Sequence, residues 1–152
     1  MTERAVRRAV DGTVIEELAV PARAAALGLE PHPEGGWYRR TWTSPTAVAT
    51  PGGDRPAATL ILFLLPPGEA SAWHTVTSDD IWLWHVPDPL VLELGGPGER
   101  PEPGERMLLG PDRPQGRVPA GVWQRTLPSE GETLVSCVVS PGFDFEDFSL
   151  EP

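Results

Sequence analysis

Few residues in this chain could do chemistry, and their types limit the reactions open to it. Its basic residues are all arginines, and the absence of lysine excludes Schiff-base mechanisms. The single cysteine, Cys137, lies in the apolar run TLVSCVVS, so we predict a packed core residue and not a nucleophile. His74 is more promising because Asp80 follows it closely in SAWHTVTSDDIW. A carboxylate near an imidazole orients the ring and raises its basicity, as in a general acid–base site.

These residues lie in a chain that is patterned for short strands. Its 152 residues suffice for one domain with a filled core, and 19 prolines and 16 glycines are spread along it. Apolar or alternating runs predict strands at 37–43, 57–65, 71–76, 81–86, 90–94, 107–109, 116–119, 122–126 and 133–140. We therefore predict an all-β antiparallel barrel or jelly roll.

The two ends of the chain have their own patterns. Residues 1–22 are interpreted as an N-terminal arm, frayed or adapting over its first dozen residues, and residues 23–150 as a single domain. Helix formers behind a proline predict one short helix at 21–29. The aromatic segment FDFEDF (143–148) is expected to close against the barrel.

The charge balance excludes some classes of partner. Asp and Glu number 22 against 12 basic residues, for a net charge of −10. Such a surface repels phosphate backbones and anionic lipid, so we predict neither a nucleic-acid nor a membrane partner. The sequence contains no apolar run of membrane-spanning length and no secretory signal pattern. Together with the lone cysteine, this predicts a cytoplasmic location.

Four sequence blocks carry a family resemblance. In chain order they are HPEGGWYRRTW (32–42), SAWHTVTSDDIW (71–82), VPAGVWQ (118–124) and SPGFDFEDF (140–148). Residues 68–87 have the spacing of the first cupin motif, Gly-x5-His-x-His-x3–4-Glu-x6-Gly, and residues 119–124 match the core of the second, Pro-x-Gly-x2-His. Over about residues 23–150 the chain resembles a small single-domain cupin family catalogued as a domain of unknown function. That family is similar to the dTDP-sugar epimerase branch of cupins, which implies a double-stranded β-helix and a homodimer.

The resemblance also locates the positions that hold a metal in many cupins. Such a site takes His, His and Glu from the first motif and His from the second. This chain has His74, Val76, Asp80 and Gln124 there. Because Val76 cannot ligate and Gln124 is a weak neutral ligand, we predict no bound metal and no cofactor. A metal-dependent oxygenase or lyase stays open as a third reading, in which His85 could supply a further ligand.

By the same resemblance, His74 and Asp80 face the barrel interior from adjacent strands. We interpret them as the catalytic pair, with His74 as general base and Asp80 as its orienting acid, for proton abstraction next to a carbonyl. This predicts a metal-independent isomerase, epimerase or cyclase that acts on a cyclic or carbonyl-containing metabolite. The alternative is a non-catalytic module that binds a metabolite or a nucleotide-like ring.

Further candidates are expected to line the pocket and bind the ligand. Glu34 lies in a Pro-Glu-Gly-Gly turn, where glycines let the backbone approach a ligand closely. Arg39, chosen over Arg40 by the resemblance, is a candidate anion clamp. His32 precedes a proline and is expected to cap its loop. The other predicted ligand contacts are Trp73, Trp82, Trp84, Trp123 and Gln124.

Overall fold

A computed structural model describes residues 3–152. Its strands are β1 (Arg4–Arg8), β2 (Val14–Ala19), β3 (Glu30–Pro31), β4 (Trp37–Thr43), β5 (Ala47–Thr50), β6 (Gly53–Pro56), β7 (Thr59–Leu65), β8 (His74–Val76), β9 (Asp79–Pro87), β10 (Leu90–Leu94), β11 (Arg106–Leu109), β12 (Gln115–Val118), β13 (Gln124–Thr126), β14 (Thr133–Ser140) and β15 (Phe148–Leu150). Among these residues the only α-helix is α1 (Ala22–Leu27), and a 3-10 turn spans Phe145–Asp147.

Two antiparallel sheets form the body of the domain. The larger has the order β12-β9-β14-β7-β4-β3, and the smaller has the order β11-β10-β13-β8-β15. Side chains from both sheets, among them Phe63, Trp82, Leu92 and Val135, share one buried apolar core. The sheets therefore pack face to face as a jelly roll, and the predicted all-β fold is confirmed.

The helix α1 covers the outer face of the larger sheet. It begins after Pro21, whose fixed φ suits a helix start, and ends at Gly28 in the left-handed conformation with φ 69°. Its Ala24 packs with Leu29, Trp37 and Leu64 in a second apolar cluster. As a result, both faces of β4 are covered near Trp37. Within residues 3–152, no helix is long and apolar enough to cross a membrane.

Residues 4–19 form a paired hairpin, where the sequence predicted an arm that is frayed or adapting over its first dozen residues. Strands β1 and β2 pair as an antiparallel hairpin, with Arg4 opposite Ala19 and Val6 opposite Glu17. Most of its side chains are exposed, and the buried position in β1 is an arginine, so no alternation of apolar and polar residue types reveals the hairpin in the sequence. Arg7 is the exception, because its side chain is buried against the domain.

The C-terminal segment closes one end of the jelly roll. Strand β15 pairs with β8, which places Phe148 opposite Val76 and Leu150 opposite His74. An ion pair between Arg55 Nε and Asp147 Oδ2, 2.7 Å apart, ties the preceding 3-10 turn to the β5–β6 hairpin. The aromatic residues of this segment therefore lie beside His74.

Candidate functional site

A pocket of about 430 Å³ lies between the sheets, at the end that the C-terminal segment closes. Its polar lining residues are Glu30, His32, Glu34, Arg40, Thr59, His74, Asp80 and Asp144. Its aromatic lining residues are Tyr38, Phe63, Trp82, Phe143, Phe145 and Phe148. A cavity of this size and mixed lining suits one small molecule.

His74, the first residue of β8, is held at one ring nitrogen and open at the other. Its Nδ1 lies 2.7 Å from the carbonyl oxygen of Ala72 and 2.9 Å from Glu34 Oε2. Because a carbonyl can only accept, Nδ1 carries a hydrogen, and the neutral ring therefore has its lone pair on Nε2. Nε2 has no hydrogen-bond partner in residues 3–152, and it is not among the fully buried atoms without a partner. Nε2 therefore faces the pocket, and in the neutral ring its lone pair can accept a proton.

Glu34 reaches His74 because a tight turn carries it there. His32 N donates to Gly36 O at 2.9 Å, and Ala72 N donates to Glu34 O at 2.7 Å. Gly35 and Gly36 have φ of +109° and +77°. A Cβ at Gly35 would lie 2.3 Å from the Ala70 carbonyl oxygen, and one at Gly36 would lie 2.6 Å from the Phe63 ring. The glycines were predicted to let the backbone approach a ligand, but the neighbours they accommodate are protein atoms.

The electrostatics of this group favour an ion pair between Glu34 and His74. Burial opposes charge on Glu34, but nearby positive charges outweigh it, so the pKa of Glu34 lies below its ordinary value. Burial likewise opposes charge on His74, yet the Glu34 carboxylate outweighs it and the pKa of His74 is raised. Neighbouring His32 behaves differently, because burial lowers its pKa to about 4. The neutral His32 accepts a hydrogen bond from Glu34 N at its Nδ1, and so caps the turn.

Asp80 is a second titratable group, and side chains behind it fix its orientation. Trp82 Nε1, which can only donate, lies 2.9 Å from Gln124 Oε1. The amide of Gln124 must therefore turn its Nε2 toward Asp80 Oδ2, 3.2 Å away. Asp80 Oδ1 is fully buried and has no hydrogen-bond partner among the described residues. Burial raises the pKa of Asp80 to about 7 against the positive charge of His74.

These contacts correct the predicted roles of two carboxylates. Asp80 was expected to orient the imidazole of His74, but the Ala72 carbonyl oxygen accepts from Nδ1, and the Glu34 carboxylate lies beside the same nitrogen as its counter-charge. Asp80 instead stands apart as a group that can exchange a proton near neutral pH. His74, with a raised pKa, and Asp80, with a pKa of about 7, line one pocket and are a suitable pair for acid–base chemistry.

The donors at the cupin metal positions do not fit a metal. Val76 has no donor atom, and both polar atoms of the Gln124 amide are engaged, one with Trp82 and one with Asp80. His74 would have to ligate through Nε2 with Asp80 as its remaining partner. Across residues 3–152, no group of three or more His, Cys, Asp or Glu side chains is arranged to hold a metal ion. Two protein ligands seldom retain a transition metal, so the chemistry of the site is derived from its side chains alone.

The tryptophans are mostly not where the sequence predicted. Trp82 lines the pocket, but Trp73 lies outside it beneath the guanidinium of Arg125, 4.5 Å from the ring centre. Trp84 and Trp123 donate their Nε1 hydrogens to backbone carbonyl oxygens at 2.8 Å and do not line the pocket. Gln124 lies behind Asp80 as its hydrogen-bond donor and not on the pocket wall.

The predicted arginine lies on the wrong face of its strand. In β4, Tyr38 and Arg40 pair with Phe63 and Ile61 and line the pocket, whereas Arg39 is exposed on the opposite face. The outer face of β4 is itself covered by α1, so the sequence pattern does not show which face is inner. His85 also points outward, and its Nε2 lies 2.6 Å from Ser136 Oγ.

The sequence interpretation missed most of the aromatic wall. Phe143, Phe145 and Phe148 contact one another with ring centroids 4.9–5.9 Å apart. Phe148 also lies 5.6 Å from His74, ring centre to ring centre. Their spacing in FDFEDF was recognised as a closing segment, but that segment supplies pocket walls as well. The partner of β15 is the strand that carries His74, which sequence spacing does not reveal.

Comparison with known proteins agrees with this architecture. The family model described as Cupin superfamily (DUF985) matches residues 22–151. A hypothetical protein from Leishmania major is 34% identical over 84% of each chain, with a TM-score of 0.75. Protein SO0799 from Shewanella oneidensis is 37% identical over 85% of this chain and 82% of its own, with a TM-score of 0.74.

A more distant structure shares the fold alone. A cupin 2 conserved barrel domain protein from Rhodopseudomonas palustris is 13% identical, covers 77% of this chain and 67% of its own, and has a TM-score of 0.55. No curated protein matches the sequence.

Proposed function

Because the chain belongs to the DUF985 family of the cupin superfamily, a small-molecule-binding fold, we propose that it catalyses proton transfer on a small metabolite without a metal. The reaction class is isomerisation, epimerisation or cyclisation, in which a C–H bond next to a carbonyl is broken and formed again. The observation that carries the proposal is the contact between Glu34 Oε2 and His74 Nδ1, with Nε2 left open to the pocket.

The proposed step uses the two titratable groups in complementary protonation states. His74 Nε2 removes the proton from the carbon beside the carbonyl, and Glu34 stabilises the imidazolium that forms. The Asp80 carboxyl, which lines the same pocket, donates its proton to the carbonyl oxygen as the electron pair moves onto it. Return of a proton from His74 to carbon, and of the enol proton to Asp80, completes the exchange with the proton count unchanged.

The walls of the pocket indicate the kind of molecule. Four phenylalanines offer apolar, flat surfaces for a ring. Arg40 lines the same pocket, and its Nη2 donates to the Phe143 carbonyl oxygen at 2.8 Å. Its other guanidinium nitrogens are available to an oxygen-rich substituent. We therefore propose a cyclic, carbonyl-containing substrate that carries a polar or anionic group at one side.

The proposal can be tested without knowing the substrate in advance. The purified protein is incubated in D2O with a panel of keto sugars, cyclic ketones and lactones, and deuterium entry next to the carbonyl is followed by NMR. We expect enzyme-dependent exchange for at least one class and its loss in His74→Gln. The matched control is His85→Gln, which removes a histidine from the outer face and should exchange like the parent. Equal exchange in His74→Gln and the parent would contradict the proposal.

The second candidate function is a binding module without turnover, favoured by the aromatic wall. Ring stacking alone can give affinity for a planar metabolite. Under this alternative a panel compound binds but acquires no deuterium, and Phe145→Ala weakens binding while His74→Gln does not. Isothermal titration of the two variants with the best-binding panel compound separates the candidates.

A further inference from the structure

We propose that Arg7 is a positioning residue, through which the N-terminal hairpin holds the turn that carries Glu34 against His74. This proposal rests on the proposed function only because it concerns the same two residues, Glu34 and His74. Its test measures their contact and not turnover, so the two proposals can fail separately.

Arg7 spans the turn from one end to the other. Its Nη1 donates to the carbonyl oxygens of His32 and Gly36, the second at 2.9 Å. These two carbonyls flank Glu34 in the chain. A single guanidinium therefore fixes both ends of the segment whose middle residue contacts His74.

Glu69 binds both Arg7 and the turn, and we call the pair Arg7 and Glu69 the clamp. Its Oε1 accepts from Arg7 Nη2 at 3.0 Å and from the backbone N of Gly36 at 3.3 Å, and its Oε2 accepts from Trp37 Nε1 at 3.3 Å. The Arg7–Glu69 ion pair thus joins the hairpin, the turn and the segment before β8. This network ends next to Glu34 but contains no group that faces the pocket.

Burial distinguishes Arg7 from the other arginines of the hairpin. Only 4% of Arg7 is exposed. Arg4 forms an exposed pair with Glu17, and Arg8 donates to Gly12 O within the hairpin. A buried guanidinium is costly unless its donors are paired, and Arg7 has carbonyl and carboxylate partners. A hairpin that needed only to cover apolar surface would not require it.

The hairpin is separate from the part of the chain that defines the family. The family model matches residues 22–151, which include Glu34, Glu69 and His74 but not Arg7. Arg7 therefore acts on the shared pocket from outside the matched region. Such an arrangement lets the hairpin adjust the site without changing a residue that lines it.

The charge of Arg7 and its positioning role have opposite effects on His74. The titratable groups around His74 are Glu34 and His32 on the turn and Asp80 on β9, with Arg7 behind the turn. Removal of a nearby positive charge alone would raise the pKa of His74. Loss of the Glu34 contact would lower it, because burial then acts unopposed. The sign of the change is therefore diagnostic.

The experiment is an NMR titration of the His74 ring in the full chain, with resonances assigned through single His→Gln variants. We expect Arg7→Met to lower the apparent pKa of His74 by about one unit. Arg8→Met, a matched control on the same hairpin, should leave it unchanged. An unchanged or raised pKa of His74 in folded Arg7→Met would overturn the proposal.

A second variant keeps the proposal testable if Arg7→Met does not fold. Arg7→Gln keeps one amide donor for the turn and removes the charge, so it carries the same test. It too should lower the pKa of His74, and an unchanged or raised value would overturn the proposal. Absence of deuterium exchange in the parent, with this response intact, would contradict the proposed function alone.

Discussion

Glu34 Oε2 lies 2.9 Å from His74 Nδ1, although one residue belongs to a glycine turn and the other begins a strand far along the chain. The contact explains why a buried histidine has a raised pKa, which burial alone would lower. It also separates two roles, since Glu34 supports His74 while Asp80 is free to exchange a proton. The predictions below test these roles and the scaffold behind them.

Asp80→Asn should change how stability depends on pH. Burial raises the pKa of Asp80 from 3.8 to about 7, so the folded state keeps a proton that the unfolded state releases between these values. The contribution of Asp80 to the stability of the parent is therefore lost across this range as pH rises, and the Asp80→Asn variant lacks this contribution. Relative to the parent, the variant should gain about 3 kcal/mol between pH 4.5 and pH 8. Urea unfolding at the two pH values measures this, and parallel pH curves would contradict it.

His32→Gln should change the pH dependence of stability in the opposite direction, with its gain over the parent at acidic pH. The pKa of His32 falls from 6.5 to about 4, so the unfolded state binds a proton between these values and the folded state does not. The contribution of His32 to the stability of the parent is therefore lost as pH falls through this range. Relative to the parent, His32→Gln should gain about 2.5 kcal/mol between pH 8 and pH 4.5. Urea unfolding at the two pH values measures this, and an equal stability difference between variant and parent at both would contradict it.

Gly35→Ala should destabilise the protein more than a glycine substitution at an equally left-handed but open position. The new Cβ would lie 2.3 Å from the backbone oxygen of Ala70, where nothing flexible can yield. Gly68 has φ +78° and nothing within 4 Å of a Cβ, so Gly68→Ala should cost only about 1 kcal/mol. We expect Gly35→Ala to exceed about 2 kcal/mol in chemical unfolding. Equal costs would show that the turn is not tightly packed.

Gln124→Leu should raise the pKa of Asp80 above its parent value. The hydrogen bond from Gln124 favours the ionised carboxylate, and leucine removes it. The change also leaves Trp82 Nε1 without its acceptor, so stability should fall by about 1–3 kcal/mol. Carboxyl-carbon NMR follows the titration. Gln115→Leu, at an exposed strand position, should alter neither quantity, and a lowered pKa of Asp80 in Gln124→Leu would contradict the assigned role.

The strands of the fold could be predicted where the pattern of apolar residues is strong. Segments 37–43, 90–94 and 133–140 coincide with β4, β10 and β14 because apolar or alternating residues run through them. The hairpins β1–β2 and β5–β6 were missed, since their side chains are largely exposed and lack that pattern. A homodimer and a cytoplasmic location stay predictions.

The site could be predicted only in part, for a topological reason. Spacing within one motif located His74 and Asp80, and glycine chemistry singled out Glu34. That Glu34 touches His74 depends on how a distant turn packs against the lead-in to β8, which no local pattern encodes. Strand parity likewise placed Trp84 beside Trp82, but Trp84 lies beyond the pocket and donates to the Asp88 carbonyl.

The most direct test of the central claim is an NMR titration of the His74 ring in the parent, Glu34→Gln and Asp80→Asn. We predict that the parent titrates above the ordinary value of 6.5, because the Glu34 carboxylate outweighs burial. Glu34→Gln should bring the pKa of His74 below that value, whereas Asp80→Asn should lower it less. A parent value at or below 6.5, or a larger fall in Asp80→Asn than in Glu34→Gln, would contradict the account.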